Sequence, residues 1–130
     1  MGIRIFRAGS PRQRNEGLRL GTVRFLPRGV KKKDYARLNY FDVWLPALAP
    51  SRGLVHWAMS RKDWDARTKK MFYARYSKEM SATDARQTIQ FIAALSRRVD
   101  VSVGCYCEDP NHCHRSALLK LIKAARTNKG

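Results

Sequence analysis

The chain has 130 residues, with 27 Lys or Arg against 10 Asp or Glu and a formal charge of +17 at pH 7. That length suits one domain with its own core, and so large a cationic excess exceeds the needs of solubility and points to a polyanionic partner, nucleic acid above all. No run of about 18 apolar residues is present to span a bilayer, and residues 1–30 lack the apolar centre of a secretory signal, so no membrane partner and a cytoplasmic location are expected.

The three cysteines are an odd number, with two of them only two residues apart. That pattern argues against a secreted disulfide framework and for free thiols or a metal site. The chain reads as a single domain, 1–130, with a basic N-terminal segment, 1–17, and a short basic tail, 127–130.

In chain order, Ile3 and Ile5, then Leu18 and Leu20, alternate with Arg4, Phe6, Arg19 and Gly21. This period predicts two short strands joined by the polar segment 9–17. The second strand is expected to continue through Val23 and Phe25 and to stop at Leu26-Pro27-Arg28-Gly29, where proline removes a ladder donor and glycine allows a left-handed turn. Lys31-Lys32-Lys33 is the densest basic run. Residues 35–50 are irregular, and Tyr40, Phe41, Trp44 and Leu48 predict a covering loop with one helical turn over a sheet edge.

Ser51 is a good N-cap for a helix through Met59. Trp64, Thr68, Met71, Phe72 and Tyr76 keep a helical period from Asp63 to Glu79. Ser81-Ala82-Thr83-Asp84 then reads as a cap sequence, and Ala85, Ile89, Ile92 and Leu95 carry the next helix towards Arg98.

The stretch from Val101 to Leu119 holds every cysteine and two of the three histidines. Val99, Val101, Val103, Cys105 and Cys107 alternate with Asp100, Ser102, Gly104 and Tyr106 as in a strand, Asp109-Pro110-Asn111 is turn or helix-entry chemistry, and Ala117, Leu118, Leu121, Ile122 and Ala125 mark one face of a helix. Helix, strand and helix in succession predict an α/β fold: a single compact domain with a mostly parallel central sheet and flanking helices.

Cys113, His114 and Arg115 thereby fall in the first turn of a helix at the carboxyl end of a strand. Free N–H groups and the helix dipole there attract an anion and favour a thiolate. Three uses of this corner compete. Arg115, joined by Arg24 and Arg28 from the turn after the second strand, would bind a phosphate. Cys113 or Cys105, with His114 beside it, would act as the nucleophile of an enzyme working on a phosphorylated or glycosidic substrate. Cys105, Cys107 and Cys113, with His112 or His114, would supply tetrahedral ligands to a structural zinc ion. The function expected is a basic anion pocket for nucleic acid or a phosphorylated nucleotide-like ligand, with the thiol enzyme and the zinc site as alternatives; neither a cofactor nor an oligomeric state follows from the residues.

Arg24-Phe25-Leu26-Pro27-Arg28-Gly29-Val30-Lys31-Lys32, then Trp44, Ala49-Pro50-Ser51, Leu54, Trp64, Phe72, Arg75-Tyr76, and finally Cys105 with Cys113-His114-Arg115, resemble the YeaO-like branch of the family catalogued as domain of unknown function 488. The resemblance extends over residues 18–124 and implies a compact α/β domain with a mostly parallel sheet and no assigned activity. Its recurring motifs fall here on Arg24, Pro27, Arg28 and Gly29 and on Cys105, Cys113, His114 and Arg115. Where the wider family often has Glu two places after the first cysteine, this chain has Cys107, and many members of the YeaO-like branch lack the Cys-His-Arg triplet altogether, so the resemblance implies a shared anion pocket more than shared thiol chemistry.

Overall fold

Val101, Val103 and Cys105 are apolar while Ser102 and Gly104 are small, so this strand can be covered on both faces, and in the computed structural model all of its residues are buried. The structure describes residues 2–107 and 113–127. Strands β1 (Ile3–Arg7), β2 (Leu18–Gly21), β3 (Val43–Trp44) and β4 (Val101–Cys105) form one sheet in the order β1-β4-β2-β3, and every pairing is parallel. The helices are α1 (Arg52–Met59), α2 (Ala66–Glu79), α3 (Thr83–Leu95) and α4 (His114–Thr127). The α/β fold read from the sequence is therefore the fold observed. Among the described residues no helix is long and apolar enough to cross a membrane.

The latest strand lies between the two earliest, with Ile3 and Leu18 both opposite Val101, and Phe6 and Gly21 both opposite Gly104. Because the strands are parallel and in step, their carboxyl ends share one edge of the sheet. Ile3, Leu20, Val101 and Val103 pack with Leu54, Phe72, Tyr76, Ile89, Leu118 and Ile122, so all four helices feed one main core. A smaller core of Phe6, Val23, Phe41, Cys105 and Cys113 is covered by Tyr35 and Tyr40.

Several expectations are corrected. The second strand ends at Gly21, because the Trp44 indole donates to the Val23 carbonyl (2.8 Å) and Arg24 reaches towards Pro50, which draws the chain away from the ladder. Residues 43–44 form an edge strand too short to show alternation, inside what reads as a covering loop; the expected helical turn is there as a 3-10 turn at Pro46–Leu48.

Helix α2 starts at Ala66, not Asp63, because Asp65 is its cap and accepts the Thr68 N–H at 2.8 Å. Ser81 does not cap α3, since its hydroxyl donates to the Lys78 carbonyl and closes α2 instead. Ser51 does cap α1, accepting from Leu54 N–H at 3.2 Å. Helix α3 ends at Leu95 and β4 begins at Val101, leaving Val99 exposed before the strand and Cys107 exposed beyond it. The turn expected at Asp109-Pro110-Asn111, and His112, lie outside the described residues.

The alternation in β2 also misplaces a charge: Arg19 is fully buried while Leu18 is exposed. Asp42 organises the approach to this arginine, accepting two hydrogen bonds from Arg12 (3.0 and 2.7 Å) and one from the Arg19 backbone N–H (2.8 Å). Partial burial works against ionisation of Asp42, but the Arg12 and Arg19 hydrogen bonds outweigh it and hold the carboxyl below its ordinary value. The lowered value means that the unfolded chain takes up this proton first as acid is added. The stability from Asp42 is thus complete above about pH 4 and is lost as the pH falls through the lower folded value. Urea midpoints taken between about pH 6 and pH 2 should show Asp42→Asn less stable than wild type at the upper end, with the gap closing at the lower.

Candidate functional site

The shared carboxyl edge of the parallel strands is where such sheets present ligand sites. Cys105 ends β4, Thr22 follows β2, and Cys113 and His114 stand at the start of α4. Cys105, Cys113, His114 and Arg115 are all buried. The Cys105 and Cys113 sulfurs lie against each other, while their Cα atoms are 7.8 Å apart, wider than the span of about 4.4–6.8 Å usual for a disulfide.

Cys113 Sγ is 3.6 Å from His114 Nδ1, and His114 Nε2 is 2.6 Å from the Thr22 carbonyl oxygen. A carbonyl only accepts, so Nε2 carries the proton and Nδ1 turns its lone pair to the sulfur. Burial pushes the imidazole down to about 4, with the Thr22 hydrogen bond opposing the shift and the Arg115 charge adding to it. The ring is therefore neutral at neutral pH. Thr22 is itself anchored, its N–H and hydroxyl both donating to the Gly104 carbonyl at 3.0 and 3.1 Å. Tyr76 packs its ring 5.3 Å from the imidazole and donates to the Leu48 carbonyl at 2.7 Å, and burial pushes its phenol well up.

The arginines have different places. Arg115 points inward: its Nη1 donates to the Cys107 carbonyl (2.6 Å) and lies 3.3 Å from Cys105 Sγ, tying the start of α4 to the end of β4. Arg24 is half-buried and donates through Nε to Pro50 (3.0 Å) and through Nη2 to Pro46 and Ala49 (3.2 and 3.3 Å). Arg28 is exposed.

A hollow of about 350 Å³ opens at this edge, and Arg24, Cys105, Cys107, Cys113 and His114 all reach its wall. Neither Arg28 nor Arg115 contributes to that wall. The remaining surface is mostly apolar, from Val23, Phe25, Val55, Met59, Phe72 and Tyr106. The Tyr106 hydroxyl donates to the Phe25 carbonyl at 3.0 Å, joining the segments that follow β4 and β2.

The structure thus brings one of the three expected anion-binding arginines into the hollow with the cysteines and His114. Sequence reasoning missed Thr22, whose backbone carbonyl orients the imidazole and leaves no side-chain signature. It also missed the apolar walls, which come from elements far apart in the chain. In the sequence Thr22 reads as one more residue of a strand running on to Phe25, and only the end of β2 at Gly21 sets it at the carboxyl edge.

Fold and site together define a single-domain α/β protein whose parallel sheet carries a cysteine and histidine hollow at its carboxyl edge. Residues 3–126 match the family model DUF488-N3a, described as the active DUF488-N3 subclade. The chain belongs to the DUF488 family. No curated protein and no solved structure matches it.

Proposed function

We propose that the hollow binds a nucleotide-like ligand, free or within a nucleic acid strand, with an anionic group against Arg24. The observation that carries this reading is the way Arg24 is held: Nε and Nη2 are fixed on backbone carbonyls, Nη1 is in none of these bonds, and the guanidinium stands in a mostly apolar wall. A clamped guanidinium loses little freedom when it meets a phosphate, and an apolar wall suits a flat heterocycle. Arg52 adds a cation over the Phe25 ring, 5.2 Å from its centroid, and the exposed Arg28 and Lys31-Lys32-Lys33 follow in the same segment, where they favour approach of an anion. The reading includes a cytoplasmic location, where thiols stay reduced.

Titration calorimetry with a nucleoside monophosphate, and with single-stranded RNA at low and high salt, tests it. Arg24→Met should weaken the monophosphate about 10- to 100-fold, the loss of one charged hydrogen bond. Phe25→Ala, which leaves the carbonyl clamp alone, should weaken it as well. Arg28→Ala should spare the monophosphate but weaken the strand and flatten its salt dependence. No binding of either probe at low salt overturns the proposal.

A second reading, a cysteine-dependent enzyme for a phosphorylated or glycosidic substrate, is favoured by the approach of Cys113 Sγ to His114 Nδ1 with Thr22 orienting the ring. Its mark is fast alkylation of Cys113 by iodoacetamide at neutral pH.

A further inference from the structure

We propose that Cys105, Cys113 and His114 form a three-ligand site for a borderline-soft divalent metal ion such as zinc, with its fourth position open to the hollow. This goes beyond nucleotide binding and opposes the nucleophile reading, because one sulfur and one nitrogen lone pair cannot serve both purposes.

The donor atoms of these three residues lie within 4.8 Å of one another, and all three residues are buried. The 3.6 Å between Cys113 Sγ and His114 Nδ1 is the length expected between two ligands of one tetrahedral zinc ion. Zn–S of about 2.3 Å and Zn–N of about 2.0–2.1 Å at a tetrahedral angle give about 3.6 Å. The 7.8 Å between the Cα atoms of Cys105 and Cys113 leaves room for the two sulfurs, which lie against each other here, to part around an ion.

The surroundings fit the same use. A metal-binding histidine ordinarily donates its other ring N–H to a carbonyl or carboxylate, which sets the tautomer and aims the ring. His114 does so to Thr22, which is pinned to Gly104 in turn. The Arg115 guanidinium, 3.3 Å from Cys105 Sγ, favours the thiolate that a metal requires. Loading would release the two thiol protons to solvent, and two thiolates would balance the divalent charge.

Of the ligand set expected from the sequence, Cys105, Cys113 and His114 meet, while the exposed Cys107 stands outside the cluster. With three protein ligands a metal keeps a position for water or substrate, the arrangement of catalytic rather than structural zinc. In that position it would polarise a carbonyl or phosphoryl oxygen of a bound ligand, or bring the pKa of a bound water to about 7.

The test uses the full-length chain, its metal content measured by mass under native conditions, then stripped with chelator and titrated with cobalt(II) alone. Wild type should take up one ion per chain and develop the near-ultraviolet thiolate-to-cobalt absorption and strong visible bands of a tetrahedral site. Cys107→Ser should behave as wild type. Cys105→Ser and Cys113→Ser should each weaken cobalt more than about 100-fold, beyond the loss usual for an outer-shell change. Absence of the thiolate-to-cobalt band in wild type overturns the assignment without reference to any variant's folding. Loss of cobalt in Cys107→Ser, or fast alkylation of Cys113 in metal-loaded protein, also overturns it. Calorimetry with a nucleoside monophosphate on the same samples separates the two proposals, since failure of that binding leaves the cobalt spectrum unchanged.

Discussion

Arg19→Met is expected to destabilise the fold by about 3–5 kcal/mol, the cost of leaving one member of a buried ion pair behind. The Arg19 side chain is fully buried and its Nε donates to Glu16 Oε1 at 2.8 Å. Its Nη1 donates to Asn39 (2.6 Å), its Nη2 to Pro11 (3.1 Å) and Ser10 (3.3 Å), and its guanidinium lies 4.6 Å from the centre of the Phe6 ring. One cation thus ties the segment before β2 to the loop before β3. Methionine fills much of the space but leaves the carboxylate of Glu16, itself only 5% exposed, without its counter-charge. Adding Glu16→Gln should recover a large part of the loss, because an amide is less costly to bury than an unpaired charge. Urea unfolding of the single and double variants measures both terms. A single-variant loss below about 1 kcal/mol would mean that the pair sits in a far more polar setting than its burial implies.

Gly104→Ala should cost about 3 kcal/mol, at the upper end of the usual range for overpacking. An added Cβ would lie 2.3 Å from the Phe6 carbonyl oxygen and 2.7 Å from the Phe6 ring. A backbone oxygen within a strand has little room to yield, and Gly104 is paired on both sides, with Phe6 of β1 and Gly21 of β2. The site should suffer with the fold. Gly104 supplies the carbonyl that anchors Thr22 and precedes Cys105, so a shift here moves both the orienter of His114 and one of the two sulfurs. Thermal melts should show the loss of stability, and cobalt titration of the folded fraction should show weaker uptake. A variant with wild-type stability would place Phe6 further from the strand than the pairing requires.

The order of the helices and of every strand but β3, and a cysteine and histidine corner at a strand-to-helix junction, could be read from residues alone. Both rest on local signals: apolar periods of about two and 3.6 residues, and a dense run of chemically distinctive side chains. The same signals failed wherever a side chain's surroundings came from distant parts of the chain. In β2 the alternation sets Arg19 on the face opposite Leu18 and Leu20, but a parallel sheet covered on both faces has no outward side there, and only the fold supplied Glu16, Asn39 and Phe6 as partners. Arg24, Arg28 and Arg115 look alike in sequence, but tertiary structure put one in the wall of the hollow, one on the surface and one behind the cysteines. Sequence determined the class of fold and the kind of atoms at its carboxyl edge. Tertiary structure decided which of those atoms meet, because pairing β4 between β1 and β2 brings Thr22 to His114 across 92 positions of chain.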